Sequence, residues 1–368
     1  MQVLEKEKIS ALQLGLMMCP AVLASGFLVL PTATAQYAQN DLWLTSVLAT
    51  LVGFISVVMA TRLHQYYPNL TVIQYSERIV GKLLGKIIGL IFIINNFIPS
   101  SLITRQYADF VTGNFLLRTP ILLIMASMVL LCTITVRGGV EILGRITSIF
   151  LPLFVVPILF LLFLFPDLDL KAIFPVMSQG IVPVVKGSIP MMGWCNELFI
   201  MSFFLPSVTD PERGRKWGFV SLGVIILFLT FTNLIGLFLL GPDLGNKVYP
   251  ILIAFRYVSV GAFLENLESL LLAMWVIGHF LQISIYFYIT ALSVAQWFQL
   301  KDYRPIVFPL SLLVLINGVW GLPNFSVLSD IIRYTIPFFI LTTNLLIPLL
   351  LLIVAAVRNR KTKDRMNL

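Results

Sequence analysis

The carboxylate of Glu197 has the clearest capacity for chemistry in this sequence, because its surroundings are almost wholly apolar. The window from residue 187 to residue 209 contains no other Asp, Glu, Lys or Arg. A carboxylate inside a membrane costs about 2.5–3.5 kcal/mol on insertion scales, so Glu197 should face the protein interior, where it is paired, hydrated or protonated. It could tune the hydration or proton occupancy of a binding site, or it could be a structural carboxyl bonded to unwound backbone. The sequence leaves both roles open.

Two segments combine helix-breaking residues with small and polar ones. The first contains Pro20, Ala24, Ser25, Gly26 and Pro31. The second contains Gly187, Ser188, Pro190, Gly193, Trp194, Cys195, Asn196, Glu197 and Pro206. Broken helices at corresponding positions of two halves point to a midplane substrate site, although Pro and Gly are also frequent in ordinary membrane helices. We therefore predict that a ligand binds between two broken helices, the first and the sixth of the chain.

Three further segments carry polar stripes. One comprises Asn96, Ser100, Ile103 and Tyr107, and another comprises Trp275, His279, Gln282 and Tyr286, with Ser284 and Tyr288 as a second strip. The third holds Thr342, Thr343 and Asn344 between Pro337 and Pro348, where a kinked packing helix is the stronger alternative. Such stripes usually hold membrane helices together, so packing is the main alternative to ligand contact. The predicted ligand-binding residues are Cys19, Ser25, Gly26, Asn96, Ser100, Gly193, Trp194, Glu197, Ser284 and Tyr288.

Other kinds of site are missing from the sequence. It has no Gly-rich phosphate loop, no catalytic triad and no metal-ligand cluster, so we predict no catalytic residues, no metal and no cofactor. Cys19, Cys132 and Cys195 lie in apolar runs without Cys-x-x-Cys spacing and are expected to be buried thiols. The chain is therefore not expected to be an enzyme.

The composition indicates that membrane helices position these side chains. Of the 368 residues, 58% are hydrophobic and 11% are charged, and the mean hydropathy is +0.95. Soluble domains carry about 25% charged residues, so this chain lacks the polar side chains to cover a water-facing surface. A soluble enzyme, a disordered chain and a nucleic-acid binder are disfavoured. The net charge of +8 instead reports on membrane orientation.

The apolar windows are long enough for ten membrane helices, since about 20 apolar residues cross the hydrocarbon. We predict one all-α membrane domain, residues 1–368, with helices at about 9–33, 41–61, 84–108, 119–136, 143–166, 187–205, 217–241, 267–297, 305–321 and 334–357, and a basic cytoplasmic tail at 359–368. The short apolar stretch 172–185 is predicted to be re-entrant or superficial. Eighteen of the 25 Lys and Arg residues then fall on the side of both termini, which indicates that both are cytoplasmic.

A set of residues spread along the chain forms a family pattern, namely Lys8, Ile9, Ser10, Gln13, Gly26, Leu30, Pro31, Asp41, Leu42, Trp43, Leu44, Pro68, Asn69, Leu70, Thr71, Tyr75, Gly81, Lys82, Gly85, Lys186, Gly187, Gly193, Glu197 and Pro206. In these residues, and over essentially its whole length, the sequence resembles the B subunits of endospore nutrient germinant receptors. That family belongs to the amino acid/polyamine/organocation transporter superfamily, so the resemblance implies a LeuT-type fold of two inverted five-helix repeats. It also implies a protein of the spore inner membrane that works beside an A subunit and a lipoprotein C subunit. There it would bind a small germinant, typically an amino acid, and help to trigger ion release.

One position departs from the family pattern. Many relatives have Gly-x-Gly in the first helix, where this chain has Ala24, Ser25 and Gly26. The added methyl group restricts the backbone there. We expect a half-helix end near Gly26 to meet the carboxylate of the ligand, since helix N-termini attract anions. The first helix offers no acidic sodium ligand, so sodium coupling is not predicted.

Three functions fit these features. The first is a sensing subunit, in which a ligand bound between helices 1, 3, 6 and 8 shifts the population of two conformations. The second is a proton-coupled amino acid permease in which Glu197 carries the proton. The third is a scaffold that passes water or ions, with ligand specificity set by its partner subunits. The lipid bilayer is a partner in all three, and nucleic acid in none.

Overall fold

The computed structural model describes residues 7–260, 264–265, 267–322 and 324–366, and most of them are helical. The α-helices are α1 (Ala11–Ala38), α2 (Leu42–Tyr66), α3 (Val72–Val80), α4 (Lys82–Asn114), α5 (Ile121–Arg137), α6 (Gly139–Leu159), α7 (Ile181–Asn196), α8 (Met201–Phe204), α9 (Gly214–Leu240), α10 (Pro250–Tyr257), α11 (Glu268–Trp297), α12 (Arg304–Trp320), α13 (Phe325–Asp330), α14 (Ile336–Leu341) and α15 (Ile347–Met366). Two short strands, β1 (Ser259–Val260) and β2 (Leu264–Glu265), pair antiparallel. The side chains of the predicted basic tail, 359–368, lie outside the described residues.

Seven helical stretches within the described part of the chain are long and apolar enough to cross a membrane. One of them, Ala11–Tyr66, contains both α1 and α2, while α5 and α12 are shorter apolar helices. The chain is therefore a multi-pass membrane protein. The count of ten spans stays a prediction.

Two parts of the chain lie inside the bundle. α1 packs against α6, α7, α9 and α11, and every residue from Met17 to Leu28 is buried. The stretch Ile181–Ser207, here called the sixth segment, is also enclosed, since 89% of its most apolar window is buried. In the stretch Phe325–Arg358, here called the last segment, 33% of the corresponding window is buried. Because α1 and the sixth segment contact protein rather than lipid, they can carry polar side chains at membrane depth.

The first helix differs from the prediction, because its backbone is not interrupted. α1 is helical from Ala11 to Ala38 and contains Pro20 and Pro31. Each proline removes one backbone N–H and so costs the helix a hydrogen bond. Contacts with neighbouring helices along its whole length, together with the capping box of Ser10 and Gln13 at its start, outweigh these local losses.

The sixth segment is irregular where the sequence predicted a break. α7 ends at Asn196, and a 3₁₀ turn (Glu197–Ile200), α8 and a second 3₁₀ turn (Leu205–Ser207) follow it. α7 begins at Ile181, so the stretch 172–185 is not wholly re-entrant or superficial, and its end forms the first turn of a membrane helix. Apolar length alone does not show where this helix begins, because α7 starts six residues before the predicted boundary at residue 187.

A short helix that we did not predict, α3, crosses the start of α4. Its buried face comprises Val72, Ile73, Tyr75, Ser76 and Ile79. The two helices approach closely at Gly85 of α4, where an added Cβ atom would collide with the backbone of Glu77. The absence of a side chain at Gly85 is therefore what allows α3 to pack there.

Replacing this glycine tests the contact. Gly85→Ala should destabilise the protein by about 1–3 kcal/mol, because the added methyl group collides with backbone that cannot move without shifting α3. Gly113→Ala, in the same helix, meets no atom within 4 Å and serves as the matched control. Thermal unfolding of the purified variants in detergent measures both effects. Equal unfolding temperatures for the two variants would contradict this packing.

Candidate functional site

A small cavity, here called the central cavity, lies between α1, α4, the sixth segment, α11 and the last segment. Its volume is about 30 Å³, which is room for about two water molecules. Its polar lining comprises Ser25, Gln106, Trp194, Glu197 and Gln282. Its apolar lining comprises Pro99, Leu102, Ile103, Ile332, Ile336 and Ile340. The cavity is therefore amphipathic, with an aliphatic wall from α4 and the last segment.

Ser25 accepts the hydrogen bonds that organise the polar lining. The indole N–H of Trp194 donates to Ser25 Oγ at 3.1 Å, and the Gln282 amide donates to the same oxygen at 3.0 Å. The Gln282 amide also donates to the carbonyl of Ala21 at 2.8 Å. These bonds connect α1, the sixth segment and α11 around the cavity. The Gln282 Oε1 atom is buried without a hydrogen-bond partner among the described residues, so it remains available as an acceptor.

Glu197 lies beside this group at the start of the 3₁₀ turn. It is 5% exposed, and its carboxyl lies near the hydroxyl of Tyr286 on α11. Even so, Glu197 Oε2 and the Tyr286 hydroxyl have no direct hydrogen-bond partner within the described ranges. None of the ion pairs of the described residues includes Glu197. Since an unpaired buried carboxylate is costly, this position favours a proton or a cationic group of a ligand.

Asn196 fixes the end of α7 to two other helices. Its Oδ1 atom accepts a hydrogen bond from Ser56 of α2 at 2.7 Å, and its Nδ2 atom donates to the carbonyl of Ile340 at 2.9 Å. All three residues are buried. Asn196 therefore holds the residue before Glu197 in place and connects it to a helix that lines the cavity.

The last segment lines the cavity with a short α-helix between two π-helical stretches. Ile331–Thr335 and Thr342–Leu346 are π-helical and flank α14. The second stretch is held to α4, because Thr343 donates to Asn95 Oδ1 at 2.5 Å and Asn95 donates to Asn344 at 3.0 Å. π-Helical turns often occur at functional sites. They place a stretch of irregular backbone at each end of α14.

Three predicted binding residues, Ser25, Trp194 and Glu197, line the central cavity. Two predicted glycines lie directly behind it. A Cβ atom on Gly26 would lie 3.2 Å from Trp194, and one on Gly193 would lie 2.9 Å from the Cα of Pro337. Gly26 thus leaves space for the indole, and Gly193 lets α14 approach α7.

The other predicted residues, Cys19, Asn96, Ser100, Ser284 and Tyr288, do not line the cavity. The side chains of Cys19, Asn96 and Ser100 bond to carbonyls of their own helices. Tyr288 stacks on Phe204 at 5.5 Å between ring centroids. Ser284 lies two residues from Gln282 on α11 and therefore points to a different side of that helix.

The expected half-helix end near Gly26 is not found, because α1 is continuous there. Backbone N–H groups at that depth are already used within the helix. The side chains of Trp194 and Gln282 donate to Ser25 and Ala21, so the side-chain donors left to the cavity are the Ser25 hydroxyl and the Gln106 carboxamide.

Some lining residues were not among the predicted site residues. Gln282 belongs to a polar stripe of the sequence. Its position four residues before Tyr286, on the same side of the helix, is the signal that could have identified it as a lining residue. Gln106 and the aliphatic residues of the last segment gave no such signal, since their side chains resemble those of any membrane helix. Among the described residues, no group of three or more His, Cys, Asp or Glu side chains could hold a metal ion.

Similarity to known proteins extends over nearly the whole chain. The family model described as "Spore germination protein" matches residues 8–326. The chain is 24% identical over 365 residues to spore germination protein KB of Bacillus subtilis (strain 168), covering 97% of each chain. It is 27% identical over 364 residues to spore germination protein YndE of the same organism, covering 97% of this chain and 98% of the relative.

A solved structure shows the same fold. MhsT in complex with L-phenylalanine superposes with a TM-score of 0.66 at 13% sequence identity, covering 95% of this chain and 99% of MhsT. At that identity the likeness concerns the fold alone. It confirms the LeuT-type fold class that the sequence predicted.

Removing the shared acceptor tests the polar lining. Ser25→Ala leaves the buried indole N–H of Trp194 without its partner, so we expect a loss of about 1–2 kcal/mol in the free energy of unfolding. Ser127→Ala is the control, because its hydroxyl is exposed and bonds only within α5. Thermal unfolding in detergent is the measurement. A Ser25→Ala variant as stable as the control would show that these hydrogen bonds do not organise the site.

Proposed function

The chain belongs to the spore germination protein family, and from this membership we propose that it is the ligand-binding membrane subunit of a nutrient germinant receptor. The proposal locates it in the spore inner membrane with both termini in the cytoplasm. It would work there beside an A-type subunit and a lipoprotein C-type subunit. Its ligand would be a small nutrient, and occupancy of the central cavity would promote germination.

The observation that carries this proposal is the amphipathic central cavity. Glu197 is its one acidic lining residue, while the Ser25 hydroxyl and the Gln106 carboxamide supply polar hydrogens; those of Trp194 and Gln282 already donate to Ser25 and Ala21. A ligand ammonium group would supply the missing counter-charge to Glu197, and a ligand carboxylate would accept from the neighbouring side chains. The aliphatic wall would contact an apolar side chain. These features together favour an amino acid with an apolar side chain, and MhsT, of the same fold, was solved with L-phenylalanine.

Binding would require a change of conformation. A volume of about 30 Å³ is too small for an amino acid, so the cavity must enlarge before or during binding. The Trp194 indole and α14 are the lining parts that can move, because one fills the space beside Gly26 and the other is flanked by π-helical turns. A ligand that fits only the enlarged state would shift the population toward it. Movement of α14 would then alter the contacts of Asn196 with Ser56 and Ile340.

A proton-coupled permease is the second candidate. The observation that favours it is the carboxyl of Glu197, buried next to the Tyr286 hydroxyl with one oxygen unpartnered among the described residues. Such a group could exchange a proton as the cavity opens to each side. Uptake of labelled amino acid into proteoliposomes distinguishes the two functions. A subunit that only senses should bind the amino acid without accumulating it.

The third candidate is a scaffold that passes water or ions when its partners signal. In that case nutrient specificity would follow the partner subunits when they are exchanged between receptors. Under the sensing proposal, specificity follows this chain. The exchange experiment therefore separates a ligand-binding subunit from a scaffold.

Enlarging Gly26 tests the site in spores. Gly26→Leu should abolish nutrient-triggered germination, because the new side chain occupies the space of the Trp194 indole. Glu197→Ala should do the same by removing the partner of the ligand ammonium. Gly223→Leu is the matched control, since Gly223 lies on the exposed face of α9 with no atom within 4 Å of an added Cβ.

Germination is followed by the loss of optical density after nutrient addition, with the amount of each variant checked by immunoblot. We expect the control to respond like the parent protein. Normal responses from Gly26→Leu and Glu197→Ala at normal protein levels would refute the assignment of the central cavity as the nutrient site.

A further inference from the structure

The residues that precede α1, 7–10, here called the strap, are bonded to a distant part of the chain. The Ile9 amide donates to the carbonyl of Ser207 at 3.0 Å, and the Thr209 amide donates to the carbonyl of Ile9 at 2.9 Å. These two bonds form a parallel β-bridge between Ile9 and Val208. The strap therefore lies along the end of the sixth segment as an added strand.

The start of α1 depends on the same connection. The Ala11 N–H donates to Asp210 Oδ1 at 2.8 Å. It belongs to the first turn of the helix, where N–H groups have no partner within the helix. Ser10 and Gln13 satisfy neighbouring N–H groups through the capping box. Since Asp210 follows the sixth segment, α1 cannot move away from that segment here without leaving the Ala11 N–H unsatisfied.

The other face of the strap contacts the ends of three helices. Ile9 is 1% exposed, and a Cβ atom on Gly144 of α6 would lie 3.0 Å from its side chain. Glu7 pairs with Arg304 of α12 at 3.2 Å. The Arg304 guanidinium also donates to the carbonyl of Arg137, at the end of α5, at 3.1 Å. The strap thus crosses one end of the helix bundle.

This end of the bundle is closed directly behind the strap. α1 runs from the strap to Ser25, and the sixth segment runs from Glu197 to the strap, so both segments connect the strap to the central cavity. Between them, a Cβ atom on Gly214 of α9 would lie 2.8 Å from Leu205 and 3.9 Å from Leu14. Both leucines are buried. Apolar packing between α1 and the sixth segment therefore separates the cavity from this surface.

We propose that the strap is a releasable lock that keeps the central cavity closed on the side of the N-terminus, the cytoplasmic side under the proposed orientation. Lys8 is exposed, and Glu7 and Ser10 are half-buried, so water can replace their bonds when the strap lifts. Local units with few buried contacts open while the helices stay folded. Release removes the cap of Ala11 and frees the start of α1 to part from Leu205. The lock acts in the same way whether the chain senses or transports.

Amide hydrogen exchange of the full-length protein in detergent tests whether the strap opens as a unit. The amides of Ile9, Ala11 and Thr209 should share one protection factor. They should exchange at least about a hundredfold faster than the amide of Leu23 in the middle of α1. Protection equal to that of Leu23 would show that the strap opens only with the whole bundle. Exchange without any protection would show that the strap is not formed. Either result would overturn the proposal.

Variants of Asp210 test the bond that caps α1. Asp210→Ala removes the acceptor of the Ala11 N–H and should speed exchange of the Ile9 and Thr209 amides about fivefold or more. Asp210→Asn keeps an oxygen acceptor and should exchange like the parent. Glu212→Ala is the matched control, because it removes an exposed carboxylate from the same connection. Parental rates in Asp210→Ala, or an equal increase in Glu212→Ala, would refute the lock.

A thiol behind the strap tests whether release opens the bundle. Leu14→Cys introduces it, and native Cys132, buried on α5, is the reference within the same molecule. Adding Asp210→Ala should speed the reaction at position 14 with a water-soluble maleimide about fivefold or more and leave Cys132 unchanged. Mass spectrometry of peptides separates the two sites. An unchanged rate at position 14, or an equal increase at Cys132, would overturn the proposal. No nutrient is used, so the lock and the proposed function are tested separately.

Discussion

The carboxamide of Asn196 is the connection on which the central cavity depends. It ends α7, accepts from Ser56 of α2 and donates to the carbonyl of Ile340 in the last segment. Inside a membrane these groups have no water as an alternative partner, so each bond also prevents the cost of an unsatisfied polar group. The position of Glu197, the next residue, and that of Ile340 in the cavity wall both depend on where this one side chain holds its neighbours.

The two enclosed segments bring polar groups to the central cavity in different ways. α1 keeps a continuous helix, and its polar contribution to the cavity is a side chain, Ser25. The sixth segment gives up regular helix after Asn196 and brings Trp194 and Glu197 to the cavity. Under the proposed function the asymmetry would affect recognition, because side chains rather than free backbone N–H groups would meet the ligand. Side-chain donors can be exchanged by single substitutions, which lets ligand preference change while the fold is conserved.

The sequence predicted what depends on composition and local spacing, and missed what depends on contacts between distant segments. Glu197 and Trp194 stood out because polar residues in an apolar window have few alternatives to the interior. Ile340 gave no sign of its role, since its carbonyl bonds to Asn196 only after two distant helices meet. The continuity of α1 was missed for the same reason: prolines predict a break locally, and packing from four neighbouring helices prevents it. Gln282 lines the central cavity and Ser284 does not, and a stripe of polar residues on both sides of a helix leaves that choice of side ambiguous in the sequence.

The π-helical turns of the last segment constrain its length more tightly than its composition. A π-helical turn accommodates an additional residue within an α-helix. Because the wider turn absorbs that residue, deleting one residue from Thr342–Leu346 would restore regular α-helix and leave the helix beyond it in about its present orientation. The residues inside the turn would be placed differently, among them Thr343 and Asn344, which bond to Asn95. A one-residue deletion there should therefore mark relatives whose last helix follows the same course but lacks this contact with α4.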